Sequence, residues 1–474
     1  MRRPATFIDG QFDHDSVDGL IDVTDPATGT CVGQVPAASE AQVVRAVEAA
    51  ARAQVAWRGL PAIQRGDRLR ALADALERRA DAIAEALVLE SGKSAEDARA
   101  EVHYAAEITR YHAEWARRVE GELIPSDVPG ELLMLQREPL GVVVCLVPFN
   151  FPVYTLLRKI APALITGNTV VIRPSNTTPL CAFEIAHAII DSGLPAGVAN
   201  ILAMTHPVAA TLCTLQQVAM ITLTGSLHAG RMVLEYCKEN MARPSLELGG
   251  KTPVIVHADA DLDAAADAIV ASRTRHCGQL CTSAERVYVH ADVHDALLAR
   301  LLQRMQALDV ADRRVTPSAM GPLANAASRT RVHALVEAAR AAGARVLCGG
   351  TVPDGPGWFY PPTLLADCTQ DMAVIREETF GPVLPVVRVE SLEQALALAN
   401  DHQFGLASVL FTTDYRAALQ VASGMQAGEV YINRAPADAY QGYHAGWKRS
   451  GMGGDDGKHG MLEFTQTRLV VLPR

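Results

Sequence analysis

VVVCLVPFNFPVYTLLRKIAPALITGNTVVIR, residues 142–173, is the stretch on which the fold turns. It opens on the apolar, β-branched run Val142–Val147, which is of strand length and stops at Pro148. A second such run, Thr169–Ile172, closes it, and the span from Pro152 between the two is helix-like. A strand, a helix and another strand in that order form the repeating unit of a parallel sheet.

Downstream the same alternation continues through Asn200–Leu202 and Met220–Leu223, each bounded by Gly, Pro or Asn. It restarts after Gly249-Gly250 with Pro253–Val256, Val287–Val289 and Ser408–Phe411. Two α/β units meeting near residue 248 are therefore expected. Upstream, Ser39 and Gln42 form a capping box for a helix whose Val43, Val44, Val47 and Ala51 share a face. A second helix is predicted from about Gln64 to Glu90, with Leu69, Leu72, Leu76, Ile83 and Leu87 at helical spacing and Gly92 as its C′ residue. Both are expected to cover a sheet.

Two segments fit neither unit. Residues 119–140 hold two extended stretches around Asp127-Val128-Pro129-Gly130, the pattern of a projecting hairpin. Phe464–Leu472 reads as a strand with no sequence neighbour to pair with, so a partner subunit is its expected partner.

Bulk properties narrow the function. At 474 residues the chain exceeds one compact core, and 49% hydrophobic with 20% charged residues is globular composition. A formal net charge of −10 with no Lys/Arg cluster argues against nucleic acid and against anionic membranes. No run approaches the ~20 apolar residues of a membrane helix, and MRRPATFIDG lacks the apolar core of a secretory signal. The nine cysteines are scattered, without CxxC or His-bearing metal spacing, so no metal site and a reducing, cytoplasmic compartment are expected.

Four short pieces can carry chemistry. Cys281, in Gly278-Gln279-Leu280-Cys281-Thr282, is either a carbonyl-attacking thiolate or, the commoner fate, a small buried hydrophobe. Glu247, between Leu246 and Leu248, is either a buried general base or a solvated strand end. Asn150, after the strand Val142–Val147, can donate to a developing oxyanion or simply make a turn. Thr224-Gly225-Ser226, between a strand and a helix, can offer backbone N–H groups to a pyrophosphate, although it lacks the GxGxxG pattern.

Together with Glu377-Glu378-Thr379-Phe380-Gly381-Pro382, these pieces resemble the aldehyde dehydrogenase superfamily, in order and over essentially the whole chain. The resemblance implies an α/β protein with a Rossmann-type cofactor domain (1–118 and 141–248), an α/β catalytic domain (249–449) and a small β oligomerisation element (119–140 and 450–474) that makes a homodimer or homotetramer. It implies that Cys281 attacks the aldehyde, that Asn150 and the Cys281 N–H hold the oxyanion of the thiohemiacetal, and that Glu247 activates the water that hydrolyses the thioester. Gly225 and Ser226 match the pyrophosphate turn, Glu378 the ligand of the nicotinamide ribose, and Phe380 the ring beside the nicotinamide.

The departures from that family are informative. Its usual Lys-Pro-Ser-Glu at the adenosine ribose is here Arg173-Pro174-Ser175-Asn176. A neutral Asn176 no longer repels a 2′-phosphate and Arg173 could pair with one, so NAD is the expected cofactor with NADP possible. Phe149 replaces the usual tryptophan, a packing change. Asp455 stands where many members carry a glutamate and is expected to be a solvated carboxylate. Arg158 and His444 occupy positions often aromatic in the aldehyde pocket, and two polar groups there suit a small polar aldehyde. With Trp115 and Tyr431–Arg434, they make the chain look most like the lactaldehyde/glycolaldehyde branch. Thr282, after the nucleophile, counts against this, because it alters a residue lining the aldehyde path and with it the preferred substrate. A semialdehyde dehydrogenase, with Arg158 holding a distal carboxylate, is the alternative. A catalytically silent binding or structural protein is another, disfavoured because Cys281, Asn150 and Glu247 are all present.

Overall fold

The computed structural model describes residues 4–14 and 18–473. The quoted stretch becomes the strand Val142–Leu146, the helix Pro152–Ile165 and the strand Thr169–Arg173, and these two strands are parallel neighbours. They lie at the centre of an eight-stranded sheet. To one side of Val142–Leu146 stand Thr169–Arg173 and Ala199–Ile201; to the other, Val218–Thr224 and Arg243–Glu247, all parallel. The order reverses between Val142–Leu146 and Val218–Thr224, which opens a crevice at the carboxyl ends of these two strands. The loops bearing Asn150 and Gly225 leave the sheet there.

Parallel strands are covered on both faces, and the sequence supplies apolar residues for both. Val143 and Cys145 pack on one side with Leu69, Leu72, Leu76, Ile83 and Leu87; Val144 packs on the other with Val43 and Val47. Each of these side chains is buried, and full burial of a Val or Leu contributes about 1.5–3 kcal/mol. Ser39 forms the expected capping box with Gln42 at the start of the helix Glu40–Gly59. The helix expected from 64 to 90 is instead two, Ala62–Arg78 and Ala80–Ser91, broken at Arg79 (φ −101°, ψ 9°). No Gly or Pro marks this break; the Arg79 side chain is drawn to Asp191 at 2.5 Å. Gly92 ends the second helix at φ 72°, where a Cβ would meet the Pro322 ring at 2.7 Å.

The second sheet has seven strands, with Pro253–Val256, Arg286–His290, Val383–Val389 and Ala407–Phe411 at its centre, again parallel. Hairpin strands Glu122–Ile124 and Glu131–Pro139 form a third, small sheet with Thr465–Pro473. The C-terminal strand, expected to seek a partner subunit, thus pairs along nine residues with Glu131–Pro139 of its own chain. Tertiary folding closes this distance of more than 300 residues, which no local pattern can signal. Among the described residues no helix is long and apolar enough to cross a membrane.

Candidate active site

Cys281 stands between the turn Arg275–Gly278 and the strand Arg286–His290. His276, Cys277 and Gly278 run consecutively through left-handed backbone, with φ of 46°, 57° and 73°. Such conformations cost on the order of ~1–3 kcal/mol at non-glycine residues and persist only where the surroundings hold them. Buried Arg273 does so: it donates to the carbonyls of Gly278 and Ala284 at 2.6 and 2.7 Å and pairs with Glu285 at 2.8 Å. Glu285 in turn pairs with Lys251 at 2.6 Å and accepts from the N–H groups of Thr379 and Phe380. One buried carboxylate therefore ties the cysteine loop to the loop of Glu378 and Phe380.

The glycines of Leu248-Gly249-Gly250-Lys251 have a steric reason. A Cβ on Gly250 would lie 2.7 Å from the carbonyl oxygen of Cys281, and one on Gly249 would lie 2.5 Å from the Glu378 carboxylate. Side chains there would push the two loops apart.

Asn150 is buried, and its Nδ2 donates to the carbonyl of Gln279 at 2.8 Å. Its second N–H has no acceptor among the described residues. The Asn150 backbone carbonyl accepts from Lys93 Nζ at 2.6 Å, and Lys93 forms a fully buried pair with Glu101. Glu101 also accepts from the N–H groups of Val153 and Tyr154 at 2.9 and 3.2 Å, in the first turn of the helix Pro152–Ile165. Sequence reading misses Lys93, in the short link after Gly92, and Glu101, on the helix Ala95–Ala113, which become a clamp only when they pack on the Asn150 turn.

Glu247 ends its strand buried, with neither carboxylate oxygen hydrogen-bonded among the described residues. Burial pushes its carboxyl up to about 8, against the pull of nearby His444. His444 Nε2 lies 3.5 Å from Glu247 and Nδ1 lies 2.9 Å from Glu429. Burial and Arg158 oppose its protonation, but Asp438, the Cys281 thiol and Glu247 carry it well above the usual imidazole value. Cys281 is partly exposed; burial pushes its thiol up, and a hydrogen bond from His444 counteracts this.

Asn150, Cys281, Thr282, His444 and Arg158 all line one cavity of about 240 Å³. Arg158 reaches it with three of its five N–H donors engaged. Nε donates to Asp456 at 2.9 Å, Nη2 to the other Asp456 oxygen, and Nη1 to Asp438 at 3.2 Å. Asp455, expected in solvent, is buried and paired with Lys159 at 3.1 Å, because the C-terminal loop folds over the helix Pro152–Ile165. Its backbone also pairs with that of His444, an arrangement unreadable from separate positions in the sequence.

At the crevice of the first sheet, Ser226 caps the helix Leu227–Asn240 by accepting from Ala229 N–H, and Gly225 N–H donates to the Glu247 carbonyl at 2.9 Å. Ser175 accepts from Thr177 N–H at 3.2 Å. Arg173 and Asn176 both donate to the carbonyl of Met204, at 3.5 and 3.1 Å. Arg173 Nε and Asn176 Oδ1 remain buried without a partner among the described residues. An unpaired buried donor beside an unpaired buried acceptor fits the hydroxyl groups of a nucleotide ribose. Glu378 Oε1 accepts from Gly250 N–H at 3.1 Å, and burial raises its carboxyl to about 7. Phe380, at φ 48°, meets Phe149 edge-on with ring centres 5.9 Å apart.

The chain is similar along its whole length to known proteins. The aldehyde dehydrogenase family model matches residues 13–470. Lactaldehyde dehydrogenase of Escherichia coli K12 is 45% identical over 470 residues, 98% of each chain. The NADP⁺-dependent D-glyceraldehyde dehydrogenase of Thermoplasma acidophilum is 35% identical, covering 98% of this chain and 95% of the other. A crystal structure of E. coli lactaldehyde dehydrogenase superposes with a TM-score of 0.98 at 44% identity, covering 99% of both chains. From the cysteine loop, the crevice and these likenesses together, this chain belongs to the aldehyde dehydrogenase family and is an NAD(P)-dependent oxidoreductase of aldehydes.

Proposed function

We propose that this chain oxidises a small hydroxylated aldehyde, of the lactaldehyde or glycolaldehyde kind, to its carboxylic acid with Cys281 as nucleophile. The observation that carries this reading is the convergence of Cys281, the Asn150 amide, Thr282 and His444 on one small cavity. The Cys281 sulfur adds to the aldehyde carbon, and the oxygen that gains charge accepts from the free Asn150 N–H and the Cys281 backbone N–H. Bound NAD⁺ or NADP⁺ supplies the hydride acceptor. Arg173, Ser175 and Asn176 would hold its adenosine ribose, the Gly225-Ser226 turn its pyrophosphate and Glu378 its second ribose, with Phe380 beside its nicotinamide. Glu247 then takes a proton from the water that hydrolyses the thioester.

The substrate class follows from which polar groups line the cavity. A distal carboxylate at Arg158 would be a third negative charge beside Asp456 and Asp438, which already neutralise that guanidinium. A hydroxyl needs only an acceptor or a weak donor, which Asp438, Thr282 and His444 offer. Purely apolar aldehydes would meet this polar lining without a hydrogen bond to offer it.

NAD⁺ is the first choice of cofactor, and NADP⁺ is admitted by the neutral Asn176. The chain works as a homodimer or homotetramer, and the free long edge of Thr465–Pro473 supports a partner-facing role for the small sheet. Free cysteines throughout suit a cytoplasmic setting.

A spectrophotometric panel of lactaldehyde, glycolaldehyde, succinate semialdehyde, benzaldehyde and propanal, each with NAD⁺ and NADP⁺, tests the reading. The hydroxyaldehydes are expected to lead propanal by about tenfold or more in kcat/KM. A clear preference for succinate semialdehyde would overturn the substrate assignment, and undiminished turnover by Cys281→Ala would overturn the nucleophile.

A further inference from the structure

We propose that His444 is a further catalytic residue: braced by Glu429, its imidazole takes the proton of the Cys281 thiol and holds the sulfur as a thiolate. The inference rests on Cys281 being the nucleophile, and it gives His444 a part in the chemistry beyond touching substrate.

The geometry is directional. Nδ1 faces Glu429 Oε1 at 2.9 Å, and the other Glu429 oxygen accepts from the Tyr431 hydroxyl at 3.0 Å. That carboxylate is therefore fixed, and it fixes the ring with Nδ1 protonated. Nε2 is turned to the other side, 3.5 Å from Glu247, and the imidazole shares the small cavity with the Cys281 thiol, its hydrogen-bond partner. A base oriented by a third group beside a nucleophile is the arrangement by which weakly acidic side chains are activated. Backbone pairing of His444 with Asp455 anchors the residue on both of its peptide groups.

The charges around the ring favour the transfer. Asp438 and Glu429 face it with negative charge, while Arg158 opposes. Arg158 is itself neutralised by Asp456 and Asp438, so the balance at the imidazole stays acidic. Without this cation, burial alone would leave the Cys281 thiol protonated near neutral pH.

In the step itself, the Sγ–H bond breaks and its proton rests on Nε2. The sulfur lone pair forms the S–C bond, and the carbonyl π pair moves to the oxygen at Asn150. The hydride then leaves with its electron pair to the bound nicotinamide cofactor, giving the thioester. When water attacks, Glu247 takes its proton, the S–C bond breaks, and the departing thiolate returns to the imidazolium. Both protons released in a turnover leave from Glu247 and from the carboxylic acid.

Cofactor-free enzyme alkylated with iodoacetamide from pH 5 to 9.5 provides the test, with the labelled cysteine identified by mass spectrometry. His444→Gln keeps a polar group near Nε2 but cannot carry the proton. Its alkylation midpoint is expected to rise by about one pH unit or more, with kcat/KM at pH 7 falling about tenfold for propanal as well as for a hydroxyaldehyde. Glu429→Gln, which leaves the imidazole in place, should shift the midpoint in the same direction by less, and it serves if His444→Gln does not fold. An unchanged midpoint with a KM increase confined to hydroxyaldehydes would reduce His444 to a substrate contact and overturn the proposal. Turnover surviving in Cys281→Ala would instead remove the nucleophile and this proposal together, which separates the two failures.

Discussion

The side-chain amide of Asn150 donates to the carbonyl oxygen of Gln279 at 2.8 Å, joining the loop that leaves the first sheet to the loop that carries Cys281. This bond links the two loops and sets the sulfur relative to the remaining amide N–H. Asn150→Ala is expected to lower kcat by about 10²–10³-fold, since it removes one oxyanion donor and frees the cysteine loop. Steady-state kinetics with a saturating aldehyde checks it; a change in KM alone would refute the oxyanion role.

Glu247 has its carboxyl raised to about 8 by burial, so it is mostly protonated at neutral pH and becomes a base as pH rises through that value. Turnover limited by hydrolysis should therefore climb with pH and level off above about 8. Glu247→Gln should retain a burst of reduced cofactor while steady-state turnover falls by about 10²–10⁴-fold. The same raised value has a stability consequence. The folded state holds the proton that the unfolded state has lost, so the wild type loses stability between about 4.5 and 8, and Glu247→Gln should not. Unfolding curves at pH 6 and 9 measure the difference.

Gly250→Ala would place a Cβ 2.7 Å from the Cys281 carbonyl. Because backbone and not a flexible side chain is in the way, the cysteine loop must shift. A displacement of about 1 Å costs on the order of 10²-fold in rate. Burst amplitude and kcat are expected to fall together, while a melting temperature near the wild-type value would show that the fold survives.

Lys93 and Glu101 are buried together beneath Asn150. Glu101→Leu alone leaves an uncompensated ammonium and should cost about 3–5 kcal/mol, whereas Lys93→Met combined with Glu101→Leu should recover most of that. Denaturant unfolding measures the stability; kcat should remain low in the double variant, because the Asn150 carbonyl has still lost its donor.

Asn176→Glu restores a carboxylate beside Arg173 at the proposed ribose site. The wild type should accept both NAD⁺ and NADP⁺, and the variant should lose NADP⁺ efficiency by about tenfold or more while keeping NAD⁺. Equal loss with both cofactors would take Asn176 out of the cofactor site.

By itself, the sequence determined the parallel sheets, the positions of Cys281, Glu247 and Asn150, and the family. Strand runs such as Val142–Leu146 and the turn residues after them are local, contiguous signals, and local signals survive in one dimension. What only the tertiary structure decided are relationships between groups far apart in the chain. The helix break at Arg79 and the pairing of Thr465–Pro473 with Glu131–Pro139 are of this kind. So are the Lys93–Glu101 clamp, the commitment of Arg158 to Asp456 and Asp438, and the approach of His444 to Cys281 and Glu247. Buried charge must find a partner wherever packing puts one, and the chain's order carries no record of that distance.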